Sequence, residues 1–135
     1  MVHESIDRDL VNEYERTSAA LIRCIREALD HFFRNPPEDW ESWEEWRTPI
    51  PWRDYALPNL ERYHADLITA REAYDRGDFR AIVYDAAGYA GISKDLDFDN
   101  RWMTEVDRRE FQKAIKAVVI VARKIHQLGY EQFKG

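Results

Sequence analysis

A chain of 135 residues that is 44% hydrophobic and 34% charged, with five Gly and five Pro, is long enough for one buried core and too apolar to stay disordered. Its formal charge of −6 and pI near 5.2 lack the cation excess that tracking a phosphate backbone needs, so direct nucleic-acid binding is not expected. The start MVHESIDRDL has no basic-then-apolar leader, and the longest apolar run is Ala117 to Ala122; with Cys24 as the lone cysteine, a cytoplasmic protein without membrane contact is expected.

Ser5 reads as the N-cap of a first helix running to about Arg34. Val11, Tyr14, Ser18, Leu21, Ile25, Ala28 and Phe32 repeat in steps of three and four, and Leu10, Ile22, Leu29 and Phe33 widen that seam beyond a two-stranded coiled coil. Asn35 before Pro36 and Pro37 ends this helix. It can cap a short second one over about 36–47, with Glu38 completing a variant capping box. Pro49 and Pro51 then favour an extended segment. A third helix fits Pro58 to Arg76 with Gly77 as its stop, and a fourth follows from the N-cap Asp78 to about Gly91, with Gly88 marking a close helix contact or an early end. After the aperiodic GISKDLDFDNRWM, Thr104 caps a last helix ended by Gly129. The fold class expected is all-α: a single-domain antiparallel bundle over 1–135, with four main helices and a short Trp-rich helix.

EDWESWEEWRTPIPWRDY, residues 38–55, holds four of the five Trp. On a helix, Trp40, Trp43 and Trp46 fall at about 0°, 300° and 240°, and Glu41, Glu44 and Glu45 at about 100°, 40° and 140°. Such a segment is two-faced: its Trp arc lids the core, and an uncovered edge would give Trp anchors an acidic rim. The short helix is expected to cross one end of the core, with Trp52 and Tyr55 pinned by the Pro-rich turn behind it.

Motifs for chemistry are incomplete. DLDFDNRWMTEV resembles an EF-hand loop through Asp95, Asp97 and Asp99, but Val106 stands where the bidentate Glu belongs. Glu61 and His64 supply only half of a di-iron bundle's pattern; His31 and His64 could share one end of the bundle, with His126 near the other. Arg26 and His31 resemble the Arg-x(4 to 6)-His spacing of HEPN ribonuclease domains, yet five residues are about 140° of helix rotation. Glu41 and Glu44 share the i,i+3 spacing of all-helical nucleotide pyrophosphatases without the downstream Glu-x-x-Asp. Cys24 has no neighbouring base. Accordingly no catalytic residue, metal or cofactor is assigned.

The function expected is an acidic interaction protein that inhibits or neutralises a basic, nucleic-acid-handling protein partner, with Trp40, Glu41, Trp43, Glu44, Glu45, Trp46 and Trp52 as the contact residues. The alternative is a helical bundle that binds a nucleotide or metabolite in an aromatic pocket, as a binding protein or an enzyme. Wide seams on the first and last helices also allow a homodimer.

Overall fold

Where the first helix starts is decided by an aspartate. In the computed structural model, which describes residues 6–133, α1 spans Arg8–Arg34, and the Asp7 carboxylate accepts the N–H of Leu10 at 2.8 Å, satisfying one of the donors that a helix start leaves open. The Ser5 cap lies outside the described residues. The expected seam is buried throughout, from Val11 to Phe32.

α2 (Leu57–Asp75), α3 (Phe79–Ala90), the single turn α4 (Ile92–Asp95) and α5 (Glu105–Phe133) complete an all-α fold, with no strand among the described residues. Cross-helix pairs fix the topology. Along α1, Arg8, Glu15, Ser18 and Arg26 meet Asp75, Arg71, His64 and Glu61 of α2 in reverse order. Tyr14 and Ser18 meet Asp85 and Tyr89 of α3 in forward order. His31 reaches Asp107 at the start of α5. The bundle is therefore up-down-up-down.

Gly77 has φ 97°, open to glycine at no cost, and the Asp78 N–H closes on the Ala73 carbonyl at 2.9 Å; this is the tight stop expected between α2 and α3. Asp78 itself makes no side-chain cap bond. Gly88 touches the Tyr63 ring, where an added Cβ would stand 3.2 Å away. Gly129 does not end α5, which continues to Phe133. Its missing side chain serves packing, because a Cβ there would lie 2.3 Å from Cγ2 of Val83 on α3.

The expected helix over 36–47 does not form. Residues 40–42 and 45–47 are two separate 3₁₀ turns. The extended Trp43 and Glu44 between them, with ψ of 153° and 135°, break the α register and with it the opposed Trp and Glu arcs. The Pro-rich stretch is also not extended. Ile50 and Pro51 are already helical, since proline is tolerated in a first turn whose N–H groups have no partner. The buried Thr48 hydroxyl accepts the Ile50 N–H at 3.2 Å and donates to the Glu45 carbonyl at 2.7 Å. A π turn over Trp52–Ala56 then leads into α2. It stands just before Pro58, which has no N–H to give the carbonyl four residues back.

α3 has 12 residues against 27 in α1, about 18 Å against about 40 Å. One end of the bundle thus lacks a fourth helix. Trp52, Leu96, Trp102 and Met103, all buried, fill that vacancy from the 38–56 strap and the loop before α5.

Candidate partner-docking surface

The strap is held from beneath by aromatic edges. Phe32, near the end of α1, makes edge-to-face contacts with Phe33, Trp40, Trp43 and Trp102 at centroid distances of 5.3–6.1 Å. The fully buried Trp52 packs edge-on against Phe98, Trp102 and Phe111, and its indole N–H donates to the Asp99 carbonyl at 2.9 Å. Such ring pairs contribute roughly 0.5–1.5 kcal/mol each beyond their burial. By contrast, the buried Trp102 indole N–H has no hydrogen-bond partner among the described residues.

The seven residues expected at a contact surface separate into two layers. Trp52 is withdrawn into the core and cannot touch a partner in this conformation; it is the pin. Trp40 and Trp43 are half-buried, while Trp46 stands 54% exposed. Glu41, Glu44 and Glu45 are all exposed, as are Glu38 and Asp39 beside them. The exposed indole of Trp46 is nevertheless fixed: its N–H donates to Glu44 Oε2 at 2.8 Å, and the Arg101 guanidinium lies 5.8 Å from its ring centroid. Arg101 is in turn held by both oxygens of Asp99, and this pairing keeps the Asp99 carboxyl below its usual range. Arg47 over Trp43 and Arg53 over Phe33 repeat the cation–ring arrangement, which suits electron-rich ring faces. Sequence reasoning missed Arg101, since no local spacing links it to Trp46.

A cleft of about 280 Å³ opens beside the strap, walled by Phe32, Trp43 and Trp102 and edged by His31, Arg101 and Asp107. His31 Nδ1 is 2.9 Å from the Asp107 carboxylate, a bond that raises the imidazole above its ordinary pKa.

The other candidate constellations disperse. Asp99 is engaged by Arg101 and Asp95 accepts the Tyr63 hydroxyl at 3.0 Å; among the described residues no three His, Cys, Asp or Glu are grouped to hold a metal. Arg26 pairs with Glu61 and His31 with Asp107, so Arg26 and His31 do not converge. His31 and His64 do not share an end, because His64 meets Ser18, 13 residues before His31 and about 20 Å away along α1. Ser18 Oγ lies 2.9 Å from His64 Nδ1 and 2.5 Å from the Tyr89 hydroxyl. Ser18 and Tyr89 are fully buried, so their hydroxyls belong to a satisfied core network, while His64 is half-buried and lines a cleft with Arg26 and Glu61. Next to it, the Tyr14 hydroxyl donates to Asp85 at 2.7 Å, and burial pushes the Asp85 carboxyl up to about 6. Burial likewise raises the Cys24 thiol, the opposite of what a nucleophile needs.

The chain matches no protein-family model, no curated protein and no solved structure.

Proposed function

We propose that this chain is a small helical interaction protein whose acidic Trp strap docks onto a basic protein surface, and that covering this surface inhibits or neutralises a nucleic-acid-handling partner. The observation that supports it most is Trp46, 54% exposed yet held by Glu44 and Arg101. An ordered aromatic anchor in a rim of carboxylates matches the anatomy of a binding hot spot, and little conformational entropy is left to lose on docking. The carboxylates Glu38, Asp39, Glu41, Glu44 and Glu45 would steer a cationic partner and speed its encounter. Trp40 and Trp43 present partial ring faces to its Lys and Arg side chains.

Affinity capture from the native host tests this reading, run in parallel with wild type and a Glu41→Lys, Glu44→Lys, Glu45→Lys variant. A basic protein retained by the first and lost by the second is expected, with melting temperatures alike because these side chains are exposed. Identical captures from both would remove the strap from the reading.

The cleft beside Trp43 and Trp102 favours a second reading, in which a small ring-bearing anion sits between aromatic walls with Arg101 and His31 at its edge. Nucleotides and aromatic acids should then stabilise the fold in proportion to their concentration in a thermal-shift panel. No shift at millimolar ligand would reject it.

A further inference from the structure

Charge is segregated along this chain. Before residue 108 there are 13 Lys and Arg against 24 Asp and Glu; from residue 108 onward there are seven against two. The fold puts four of these seven, Arg109, Lys113, Lys116 and Arg123, on one surface. On α5, Arg109, Lys113, Lys116, Ile120, Arg123 and Gln127 are all exposed and follow one another in steps of four and three. They form one outward stripe about 27 Å long, opposite the buried Phe111, Val118, Ala122 and Ile125. No carboxylate interrupts it. Glu105 engages Arg109 from the helix start, and Glu110 reaches Lys113 only loosely, at 3.7 Å. Lys116 and Arg123 make no ion pair among the described residues, and between them Ile120 stands 67% exposed.

The chain's own strap does not cover the middle of this stripe. The strap sits by Asp107 at the start of α5, and Lys116 lies about 14 Å further along the helix, beyond the roughly 8 Å over which charges act at physiological salt.

We propose that the basic stripe of α5 is a docking face for the acidic Trp strap of a second copy of this chain, so that self-association covers the strap and competes with the partner described above. This rests on that reading for the strap as a docking surface. One feature favours a second copy over a nucleic acid. A phosphate backbone would leave the exposed Ile120 without an apolar neighbour, whereas the strap brings the exposed Trp46 among its five carboxylates. A symmetric pair makes the strap-to-stripe contact twice and closes.

Sedimentation equilibrium of nuclease-treated protein tests the inference. At about 0.01 M salt the weight-average mass should rise towards twice the 16.1 kDa monomer, and at about 1 M, where screening reaches down to about 3 Å, it should return to the monomer. A Lys116→Glu, Arg123→Glu variant and the strap variant Glu41→Lys, Glu44→Lys, Glu45→Lys should each associate at least about tenfold more weakly. Mixed together, they should recover association, because each reversed face then meets its complement. A monomer at every salt and concentration overturns the inference, as does association that neither variant weakens. So does binding of a duplex oligonucleotide that the stripe variant alone loses, without self-association. Strap charge reversal that abolishes partner capture but not self-association defeats this inference alone. Self-association lost in both variants, with capture unaltered, defeats only the partner reading.

Discussion

The indole N–H of Trp52 donates to the Asp99 carbonyl across 2.9 Å, tying the turn that enters α2 to the loop that enters α5. This bond closes the end of the bundle that the short α3 leaves open, and the exposed half of the strap rests on it. Trp52→Phe should therefore cost about 1 kcal/mol more than Trp102→Phe, since the Trp102 indole N–H has no partner among the described residues to lose. Chemical denaturation of the two variants checks this; equal losses would mean that the bond adds nothing. Trp52→Ala should cost about 3–5 kcal/mol as a core truncation.

Gly129→Ala should destabilise the fold, although in an ordinary helix interior the change gains about 1 kcal/mol. The new Cβ would meet Val83 at 2.3 Å, and overpacking of that kind costs about 1–3 kcal/mol. Val83→Ala combined with Gly129→Ala should recover part of the loss, giving a double-mutant coupling above about 0.5 kcal/mol. Additive effects would show that α3 and α5 move apart freely.

How much of this was legible in the sequence depends on the range of the interaction. The α1 seam, the Gly77 stop and the Thr104 cap, whose hydroxyl accepts the Asp107 N–H at 3.0 Å, are local or periodic and could be read directly. Gly129 has the look of a stop, but its reason is Val83, 46 residues earlier. The strap misled for a related cause: Trp and Glu spacing fits a helix, yet Trp40 and Trp43 pack on Phe32, and that tertiary demand overrides the α register. Proline at 49 and 51 looks like a breaker until Thr48 is seen to cap the turn. Of the candidate site, the acidic and aromatic character was legible. Arg101, which braces Trp46 from 55 residues away, was not.

The fold should be more stable in mild acid than at alkaline pH. Asp85 is pushed up to about 6 chiefly by burial, with Asp66 adding to the effect and the Tyr14 hydrogen bond opposing it. A carboxyl raised above its unfolded value of about 3.9 adds stability below that value and loses it as pH climbs to about 6. His31 is raised by its bond to Asp107, so its contribution is full below about 6.5 and fades as pH rises through its folded pKa. Glu13, Asp54 and Asp99 are lowered by neighbouring arginines and act in the opposite sense, but below about pH 4. Denaturation midpoints measured from pH 4 to 6 should fall for wild type and stay level for Asp85→Asn. The same slope in both would assign the effect elsewhere.

Cys24 should alkylate more slowly than a free cysteine at neutral pH, because burial and the nearby Glu27 and Glu110 hold the thiol protonated. Mass spectrometry after iodoacetamide treatment measures this, and a rate at or above that of the unfolded chain would contradict it.

Carboxyl labelling of the captured complex against the free protein tests the strap most directly. Glu41, Glu44 and Glu45 should lose reactivity in the complex while Asp9 and Glu72, exposed on α1 and α2, keep theirs. Undiminished labelling of the three strap carboxylates in a complex that is otherwise intact would show that the partner docks elsewhere.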